Sequence, residues 1–227
     1  MDLSRHVIVL LGPPGSGKGT HSAFLREHLG IPAISTGEIL RAEVESGSVI
    51  GRRVAVAMRS GKLVGDHLVN RMVASRIGHR EFGGGFLLDG YPRTADQAAF
   101  LDGHLTCMGM PAPLVLHLDC PADVLVERMT ARRYCGMCGQ LYNLQFHPPR
   151  QAGRCDHDGS ALQQRVDDCE RVIRTRLEAY NSVAAPLINW YRPGNYHRLD
   201  ATRSATHVHA ELRQILTPLP AMAMASR

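Results

Sequence analysis

Short apolar runs alternate with longer amphipathic segments along most of the chain. The runs at residues 7–11, 86–88 and 114–118 are too short for helices, which predicts strands that are buried on both faces. Between them, apolar residues recur every three or four positions, as in residues 23–29 and 69–77, and this spacing predicts helices. Strands that alternate with helices predict an α/β fold with a parallel, doubly wound sheet.

Polar residues mark where several of these helices begin. Ser35 and Glu38 have the spacing of a capping box, and so do Thr94 and Gln97. Asp66 precedes an amphipathic segment and can cap it. We therefore predict helices that begin after each of these three sites.

The pattern changes at residues 134–162, which are rich in glycine and proline and have little helical periodicity. This change predicts a small inserted domain. A long helix resumes at Arg165, and Pro186 should kink or end it. Residues 196–199 could form the last strand, and the apolar positions from 208 to 215 fit a final helix.

Composition limits the class of protein. The chain has 227 residues with 44% hydrophobic and 21% charged residues, which excludes a disordered or fibrous protein. No apolar run approaches the roughly 20 residues of a membrane helix, and the run at 7–11 is too short for a secretory signal. The net charge of +5 implies an anionic partner without choosing one. Six cysteines are too few for a disulfide scaffold, and their spacing points to metal binding in a reducing compartment, so we expect a cytoplasmic location.

Residues 12–20, GPPGSGKGT, follow the first predicted strand and match the phosphate-binding pattern with one residue inserted before the hydroxyl. Glycines let backbone N–H groups close around phosphate oxygens, and the helix N-terminus adds partial positive charge. Lys18 should reach the β- and γ-phosphates. Thr20, or less favourably Ser16, could face a magnesium ion. The sequence therefore predicts a nucleoside triphosphate site.

Two more motifs complete a family pattern. STGEILR at residues 35–41 and FLLDGYPRT at residues 86–94, together with residues 12–20, closely resemble the adenylate kinases, which interconvert ATP plus AMP with two ADP. The resemblance extends from residue 7 to about residue 216. It implies a P-loop nucleoside triphosphate hydrolase-like fold with a five-stranded parallel sheet. The implied core comprises residues 1–34, 65–130 and 167–217, with an AMP-binding domain at 35–64, a lid segment at 131–166 and a flexible tail at 218–227.

The resemblance also implies roles for individual residues. Arg41 and Arg93 should grip the AMP phosphate, Gln97 should read the adenine edge, and Thr36 should lie against the base. Asp89 should orient magnesium through water. The full AMP-binding set is Thr36, Arg41, Met58, Val64, Gly90, Arg93, Gln97, Arg165 and Arg176. The ATP-binding set is Gly15, Ser16, Gly17, Lys18, Gly19, Thr20, Arg128, Arg132, Tyr142 and Arg203. The catalytic set is Lys18, Asp89, Arg93, Arg128, Arg132, Arg165 and Arg176.

The chain departs modestly from the family pattern. Glu38 stands where aspartate is common, and Tyr91 stands where phenylalanine is frequent, and neither change alters the site chemistry. Gly65 and His67 interrupt a stretch that usually carries proline or threonine and then acidic residues. This last departure could alter how the AMP-binding domain hinges.

Cysteine spacing predicts a metal site. Cys135 and Cys138 are separated by two residues, as are Cys155 and Asp158, and two such pairs can supply four ligands to a tetrahedral zinc ion. His157 competes as fourth ligand, but its spacing from Cys155 is too tight. Four protein ligands would make the zinc structural. The remaining cysteines, at positions 107, 120 and 169, are interpreted as core residues.

Two other function classes stay open at this stage. One is a kinase of the same fold that uses UMP, CMP or a GTP donor, although Gln97 and Thr36 favour adenine. The other is a zinc-ribbon protein that binds nucleic acid and senses nucleotide through its phosphate loop. The insert lacks a basic, aromatic-rich face, which disfavours nucleic acid. We expect a monomer whose partners are ATP, AMP and ADP, with Mg²⁺ and structural Zn²⁺ as cofactors and no membrane association.

Overall fold

A computed structural model describes residues 6–217, so the predicted tail at 218–227 lies outside the described residues. Five parallel strands form the main sheet in the order β2-β3-β1-β4-β8. This sheet confirms the predicted fold class. Its strands are β1 (His6–Leu11), β2 (Ala33–Ser35), β3 (Gly85–Asp89), β4 (Leu114–Asp119) and β8 (Tyr196–Asp200).

Eight α-helices are found within residues 6–217, together with a 3₁₀ turn at Arg80–Phe82. Their bounds are α1 (Lys18–Leu29), α2 (Thr36–Glu45), α3 (Val49–Arg59), α4 (Asp66–Ile77), α5 (Ala95–Cys107), α6 (Ala122–Thr130), α7 (Glu170–Tyr191) and α8 (Ala205–Leu216).

Alternate residues of β1 pack into two separate apolar layers. Ile8 and Leu10 lie in a layer with residues of α1, α6 and α8, whereas Val7, Val9 and Leu11 lie in a layer with residues of α4 and α5. All five side chains are buried, as expected for a parallel strand covered on both faces. The continuous apolar run of β1 therefore packs against helices on both faces of the sheet.

Two of the three predicted helix caps are confirmed. Ser35 Oγ accepts the backbone N–H of Glu38 at 3.4 Å, and Thr94 Oγ1 accepts that of Gln97 at 3.1 Å. The prediction that Asp66 caps α4 was wrong, because Gly65 occupies the cap position and Asp66 is the first helical residue. Its carboxylate is instead bonded to α5, as described below.

Helix α7 continues through Pro186 to Tyr191, so the proline does not end it. Proline removes one backbone donor and crowds the preceding turn. Leu187 and Tyr191, which follow the proline, are buried in the second apolar layer. Their packing offsets the missing hydrogen bond and keeps the last turns helical.

The lid segment contains a second, antiparallel sheet in the order β6-β5-β7, built from β5 (Arg132–Cys135), β6 (Leu141–Asn143) and β7 (Leu162–Gln163). Its apolar centre consists of Cys135, Tyr142 and Cys155, with Leu162 packed against them. This centre is far smaller than the layers around the main sheet. The lid segment therefore needs a source of stability other than apolar burial.

Candidate active site

The phosphate loop and the end of β3 are brought side by side by the strand register. Leu10 pairs with Asp89, so the loop after β1 and the carboxyl end of β3 meet at one edge of the sheet. Lys18 Nζ donates hydrogen bonds to the carbonyl oxygens of Gly12 at 2.7 Å and Pro13 at 2.8 Å. Burial lowers the pKa of Lys18 to about 8, an effect that the nearby Asp89 carboxylate opposes. Lys18 is therefore largely protonated at neutral pH.

The two candidate hydroxyls of the loop have different environments. Ser16 Oγ is buried and has no hydrogen-bond partner within residues 6–217. Thr20 is exposed in the first turn of α1. A buried hydroxyl without a partner is uncommon in folded proteins, so Ser16 Oγ is available to an oxygen-containing ligand or ion.

Residues at the end of β3 form a second part of the site. Thr36 Oγ1 and Arg93 Nε both donate to the carbonyl oxygen of Gly90, at 2.9 and 2.8 Å. Burial raises the pKa of Asp89, and the charges of Lys18 and Arg93 oppose that rise. The motif at residues 86–94 thus places a carboxylate and a guanidinium against the phosphate loop.

A network of ion pairs links the lid segment to α7. Arg132 makes a bidentate pair with Asp168, with N–O distances of 2.7 and 2.5 Å. Arg176 pairs with Asp167 at 2.6 Å and approaches Asp168 to 3.6 Å. Asp168 is completely buried. Sequence reasoning did not assign a role to either aspartate, although both lie next to Arg165 in the chain.

The predicted arginines of the transfer site come close enough to perturb one another. Burial lowers the pKa of Arg165 to about 10, and the charges of Arg132 and Arg41 act in the same direction. Burial also lowers the pKa of Arg93 and of Arg176. The guanidinium groups remain protonated at neutral pH and create a strongly positive space, which a polyanionic ligand would stabilise.

Two of the predicted ATP-side arginines lie apart from this group, beside the loop that follows β8. Arg128 donates to the carbonyl oxygens of Ala201 at 2.6 Å and Thr202 at 3.3 Å. Arg203 lies in the same loop and pairs with Asp200 at 3.4 Å. These two arginines therefore have their partners in this loop, whereas Arg132 and Arg176 pair with Asp167 and Asp168.

Three other predicted residues have the following surroundings. The Tyr142 ring is buried in the lid segment, and its hydroxyl accepts the backbone N–H of Asp156 at 2.7 Å. It lies beside the cysteine cluster, with its hydroxyl 3.5 Å from Cys155 Sγ. Val64 packs against the second apolar layer, and Met58 is half-buried near the end of α3.

Gln97 is buried and its side-chain amide is fully oriented. Its Oε1 accepts the backbone N–H of Arg93 at 2.8 Å, and its Nε2 donates to Asp66 at 2.7 Å. Sequence reasoning treated Asp66 only as a cap and missed this contact. An aspartate at the start of a helix gives the same sequence pattern whether it caps that helix or bonds to a distant residue.

The predicted metal ligands Cys135, Cys138, Cys155 and Asp158 come together, with one ligand atom from each within 4.8 Å of all the others. Cys135 Sγ lies 3.2 Å from an Asp158 oxygen, and the Cys138 and Cys155 sulfurs are 3.5 Å apart. His157 is not in the group. Three thiols and one carboxylate are a donor set that zinc accepts.

The two halves of this cluster have the same backbone geometry. The carbonyl oxygen of Cys135 accepts the N–H of Gly139 at 3.0 Å, and that of Cys155 accepts the N–H of Gly159 at 2.9 Å. Ser160, which sequence reasoning missed, donates its backbone N–H to Asp158 at 2.9 Å. Hydrogen bonds from Ser160 hold the pKa of Asp158 well below its usual range, so this ligand is anionic.

The interpretation of the other three cysteines was partly wrong. Cys120 is buried as predicted, but Cys107 and Cys169 are exposed. Cys107 is the last residue of α5, and Cys169 occupies the N-cap position of α7. Residues at helix ends often face solvent even when the helix itself is packed.

Comparison with known proteins gives one consistent result. A sequence profile of adenylate kinase matches residues 10–195. An adenylate kinase of Symbiobacterium thermophilum is 45% identical over 185 residues, covering 82% of this chain and 86% of the relative. One of Syntrophomonas wolfei is 41% identical over 213 residues, covering 93% and 99%. One of Thermodesulfovibrio yellowstonii is 43% identical over 210 residues, covering 92% and 98%.

Proposed function

The chain belongs to the adenylate kinase family, and from this premise we propose how its residues carry out reversible phosphoryl transfer from Mg-ATP to AMP. The single observation that carries the proposal is the convergence of Lys18 and the end of β3 with arginines from three other elements. ATP and AMP are both polyanions, so bringing their phosphates together requires fixed positive charge in this space.

AMP lies against the end of β3 and the 35–64 segment. Arg41 and Arg93 bind its phosphate, and Gln97 contacts the adenine edge, with Thr36 against the base. The hydrogen bonds of Arg93 and Thr36 to the Gly90 carbonyl support this assignment, because they fix both side chains beside the phosphate loop. The AMP site is completed by Met58 and Val64 and by two arginines from the C-terminal part of the chain, Arg165 and Arg176.

ATP occupies the phosphate loop at residues 15–20, with Lys18 on the β- and γ-phosphates. Arg128 and Arg203 contact the nucleoside side, and Tyr142 shapes the lid segment around it. The hydrogen bonds of Arg128 support this assignment, because they hold this α6 side chain against the loop after β8, at Ala201 and Thr202.

Transfer needs positioning and charge neutralisation rather than a strong base. The attacking oxygen belongs to the AMP phosphate, which is already ionised at neutral pH. Charge on the transferred group is neutralised by five side chains, those of Lys18, Arg93, Arg132, Arg165 and Arg176. The planar guanidinium groups bind pairs of phosphate oxygens and so orient the phosphates for transfer. Asp167 and Asp168 keep Arg132 and Arg176 aimed at the site.

The residues beside the loop fit a magnesium ion, because Mg²⁺ prefers carboxylate, hydroxyl and water oxygens. Asp89 would hold it through water, and Thr20 or the unpartnered Ser16 hydroxyl would face it. When bound, the ion neutralises charge on the β- and γ-phosphates. Asp89 is buried near Lys18, so its carboxyl group can serve this ion and the lysine together.

The cysteine cluster fits a structural zinc ion. Cys135, Cys138, Cys155 and Asp158 would supply four ligands and leave no open position, so zinc would stabilise the lid segment without entering the reaction. The small apolar centre of this segment supports the proposal. Metal binding could contribute on the order of 10 kcal/mol to its folding.

The chain works as three units, namely a core, whose described parts are residues 6–34, 65–130 and 167–217, an AMP-binding domain at 35–64 and the lid at 131–166. Lid motion limits turnover, since lid opening commonly sets the rate in enzymes of this layout. A single-turnover rate of chemistry no faster than the steady-state rate would contradict this.

We also propose that the enzyme is a cytoplasmic monomer. One chain supplies every residue assigned to the site, and its six cysteines carry no disulfide. Within residues 6–217, no helix has the length and apolar character needed to cross a membrane. Sedimentation velocity and cell fractionation would test the two parts of this proposal.

The test is ADP formation from Mg-ATP with AMP, CMP, UMP, GMP and no acceptor, measured side by side. We expect a strong signal with AMP alone. Activity with another monophosphate would move the acceptor assignment to Thr36, Val64 and Gln97. In the same assay, Lys18→Ala should lower turnover by orders of magnitude. Near-normal turnover in that variant would contradict the assigned role of the phosphate loop.

A further inference from the structure

The Gln97 amide is held from both ends by partners that cannot exchange roles. Its oxygen accepts the backbone N–H of Arg93, and its nitrogen donates to the Asp66 carboxylate. A backbone N–H can only donate, and an ionised carboxylate can only accept. Rotating the amide by half a turn would set oxygen against oxygen and N–H against N–H. A single amide orientation is therefore compatible with this environment.

Asp66 is itself fixed by a second contact. Its other oxygen accepts the Thr94 hydroxyl at 2.6 Å, while the Thr94 oxygen accepts the backbone N–H of Gln97 at 3.1 Å. The first residue of α4 is thus bonded to two side chains at the start of α5. Gln97 is only 2% exposed, so these bonds are shielded from water and geometrically strict.

These contacts leave a defined hydrogen-bonding capacity on Gln97. A primary amide has two N–H donors and two acceptor positions, and one of each is used. One donor and one acceptor remain. The edge of adenine requires this pair, because its 6-amino group donates and N1 accepts. A 6-oxopurine presents the opposite pattern, since O6 accepts and N1–H donates.

We propose that Asp66 is a positioning residue that sets the purine specificity of the acceptor site. Together with the Arg93 backbone N–H, it locks the Gln97 amide in the orientation that pairs with a 6-aminopurine monophosphate and opposes a 6-oxopurine monophosphate. The inference rests on the proposed function, in which Gln97 contacts the adenine edge. A wrong base leaves buried polar groups unpaired, which is an effective source of rejection.

The experiment compares AMP with IMP, which differs from AMP only at the 6-position and N1 of the base. The ratio of kcat/KM for AMP to kcat/KM for IMP, with saturating Mg-ATP, is measured for the wild type and Asp66→Asn. Asparagine has nearly the same shape but can present either an acceptor or a donor to Gln97. We expect the ratio to fall at least tenfold, about 1.4 kcal/mol of lost discrimination, while the KM for Mg-ATP stays within about twofold because the ATP site is remote.

Two variants serve as controls. Asp96→Asn removes an exposed carboxylate in the first turn of α5 and should leave the AMP-to-IMP ratio unchanged. Asp66→Glu keeps a group that only accepts and should retain most of the ratio, even if Asp66→Asn folds poorly. Melting temperatures establish that each variant is folded.

The possible results separate the two levels of the argument. A wild type that transfers no phosphoryl group to AMP contradicts the proposed function and this inference with it. A wild type that prefers AMP, with an unchanged ratio in folded Asp66→Asn, overturns this inference alone. An equal loss in Asp66→Glu or in Asp96→Asn overturns it as well, because specificity would then not depend on an acceptor at this position.

Discussion

Arg132 and Asp168 form a bidentate ion pair that joins the first strand of the lid sheet to the segment before α7. The Asp168 side chain is fully buried, whereas the Arg132 side chain is 19% exposed. A second guanidinium, that of Arg176, lies 3.6 Å from the same carboxylate. One buried carboxylate therefore orients two arginines that are proposed to face the transferred phosphoryl group.

Asp168→Asn should reduce both stability and turnover. Removing one partner of a buried ion pair leaves the other charge uncompensated, which costs about 3 kcal/mol. The two arginines would also lose their fixed direction, so kcat should fall more than tenfold. Urea unfolding and steady-state kinetics measure the two effects.

Glu170→Gln is the matched control for this prediction. It removes the ion pair between Glu170 and Arg174, whose side chains are 59% and 62% exposed. Exposed pairs of this kind contribute less than about 1 kcal/mol. Equal losses of stability in the two variants would contradict a special role for the buried carboxylate.

The fold could be predicted from the sequence because its main signals are local. The apolar run of β1 and the capping residues Ser35 and Thr94 act over a few positions, and the structure confirms each of them. The phosphate loop and the cysteine pairs are also compact patterns with fixed spacing. The chemistry of such motifs can be predicted directly from the residue types and their spacing.

The parts that could not be predicted depend on contacts between distant residues. Asp168 meets Arg132 across 36 positions, and Asp66 meets Gln97 across 31. Nothing in the local sequence of Asp66 distinguishes a helix cap from a partner on another helix. The continuation of α7 past Pro186 could not be predicted for the same reason, because it depends on how the residues after the proline pack against distant parts of the chain.

The pH dependence of kcat/KM for Mg-ATP should report on Lys18. Its pKa is lowered to about 8 by burial, so the free enzyme loses this positive charge as pH rises through 8. We expect kcat/KM for Mg-ATP to fall above that pH, approaching tenfold per pH unit, at saturating AMP and constant free Mg²⁺. Below pH 8 the charge is present and this fall is absent.

Lys18→Arg tests the assignment of that inflection. Arginine stays protonated across the same pH range, so whatever activity the variant retains should lack the fall near pH 8. An unchanged pH profile in Lys18→Arg would show that another group titrates. In the wild type, kcat should persist to higher pH, because bound phosphates favour the protonated lysine.

The protein purified under reducing conditions without chelator should contain about one zinc ion per chain. Cys138→Ser removes one of the four proposed ligands, so it should lower zinc content and speed proteolysis within the lid segment more than it alters AMP affinity. Elemental analysis and limited proteolysis measure the two effects. Cys169→Ser changes an exposed cysteine outside the cluster and is the control. Zinc-free protein, or equal changes in both variants, would contradict a structural zinc site.

Gly12 begins the phosphate loop in a backbone conformation that other residues rarely adopt, with φ of +145°. An added Cβ would lie 2.6 Å from the carbonyl oxygen of Leu118 and 2.7 Å from Ser16 Oγ. The backbone of β4 at Leu118 is fixed by the sheet, so both the strain and the overlap must be relieved by moving the phosphate loop. Gly109 offers a control, because its φ is +63° but an added Cβ would meet nothing within 4 Å.

Gly12→Ala should therefore lose more stability than Gly109→Ala. Left-handed strain alone costs roughly 1–2 kcal/mol, which we expect for Gly109→Ala. Overpacking against the strand adds roughly 1–3 kcal/mol for Gly12→Ala. Only the Gly12 variant should also raise the KM for Mg-ATP, since displacing the loop moves the carbonyl groups that hold Lys18. Chemical denaturation and steady-state kinetics on both variants decide the matter. Equal losses of stability with unchanged KM would mean that the loop tolerates a side chain at its first glycine.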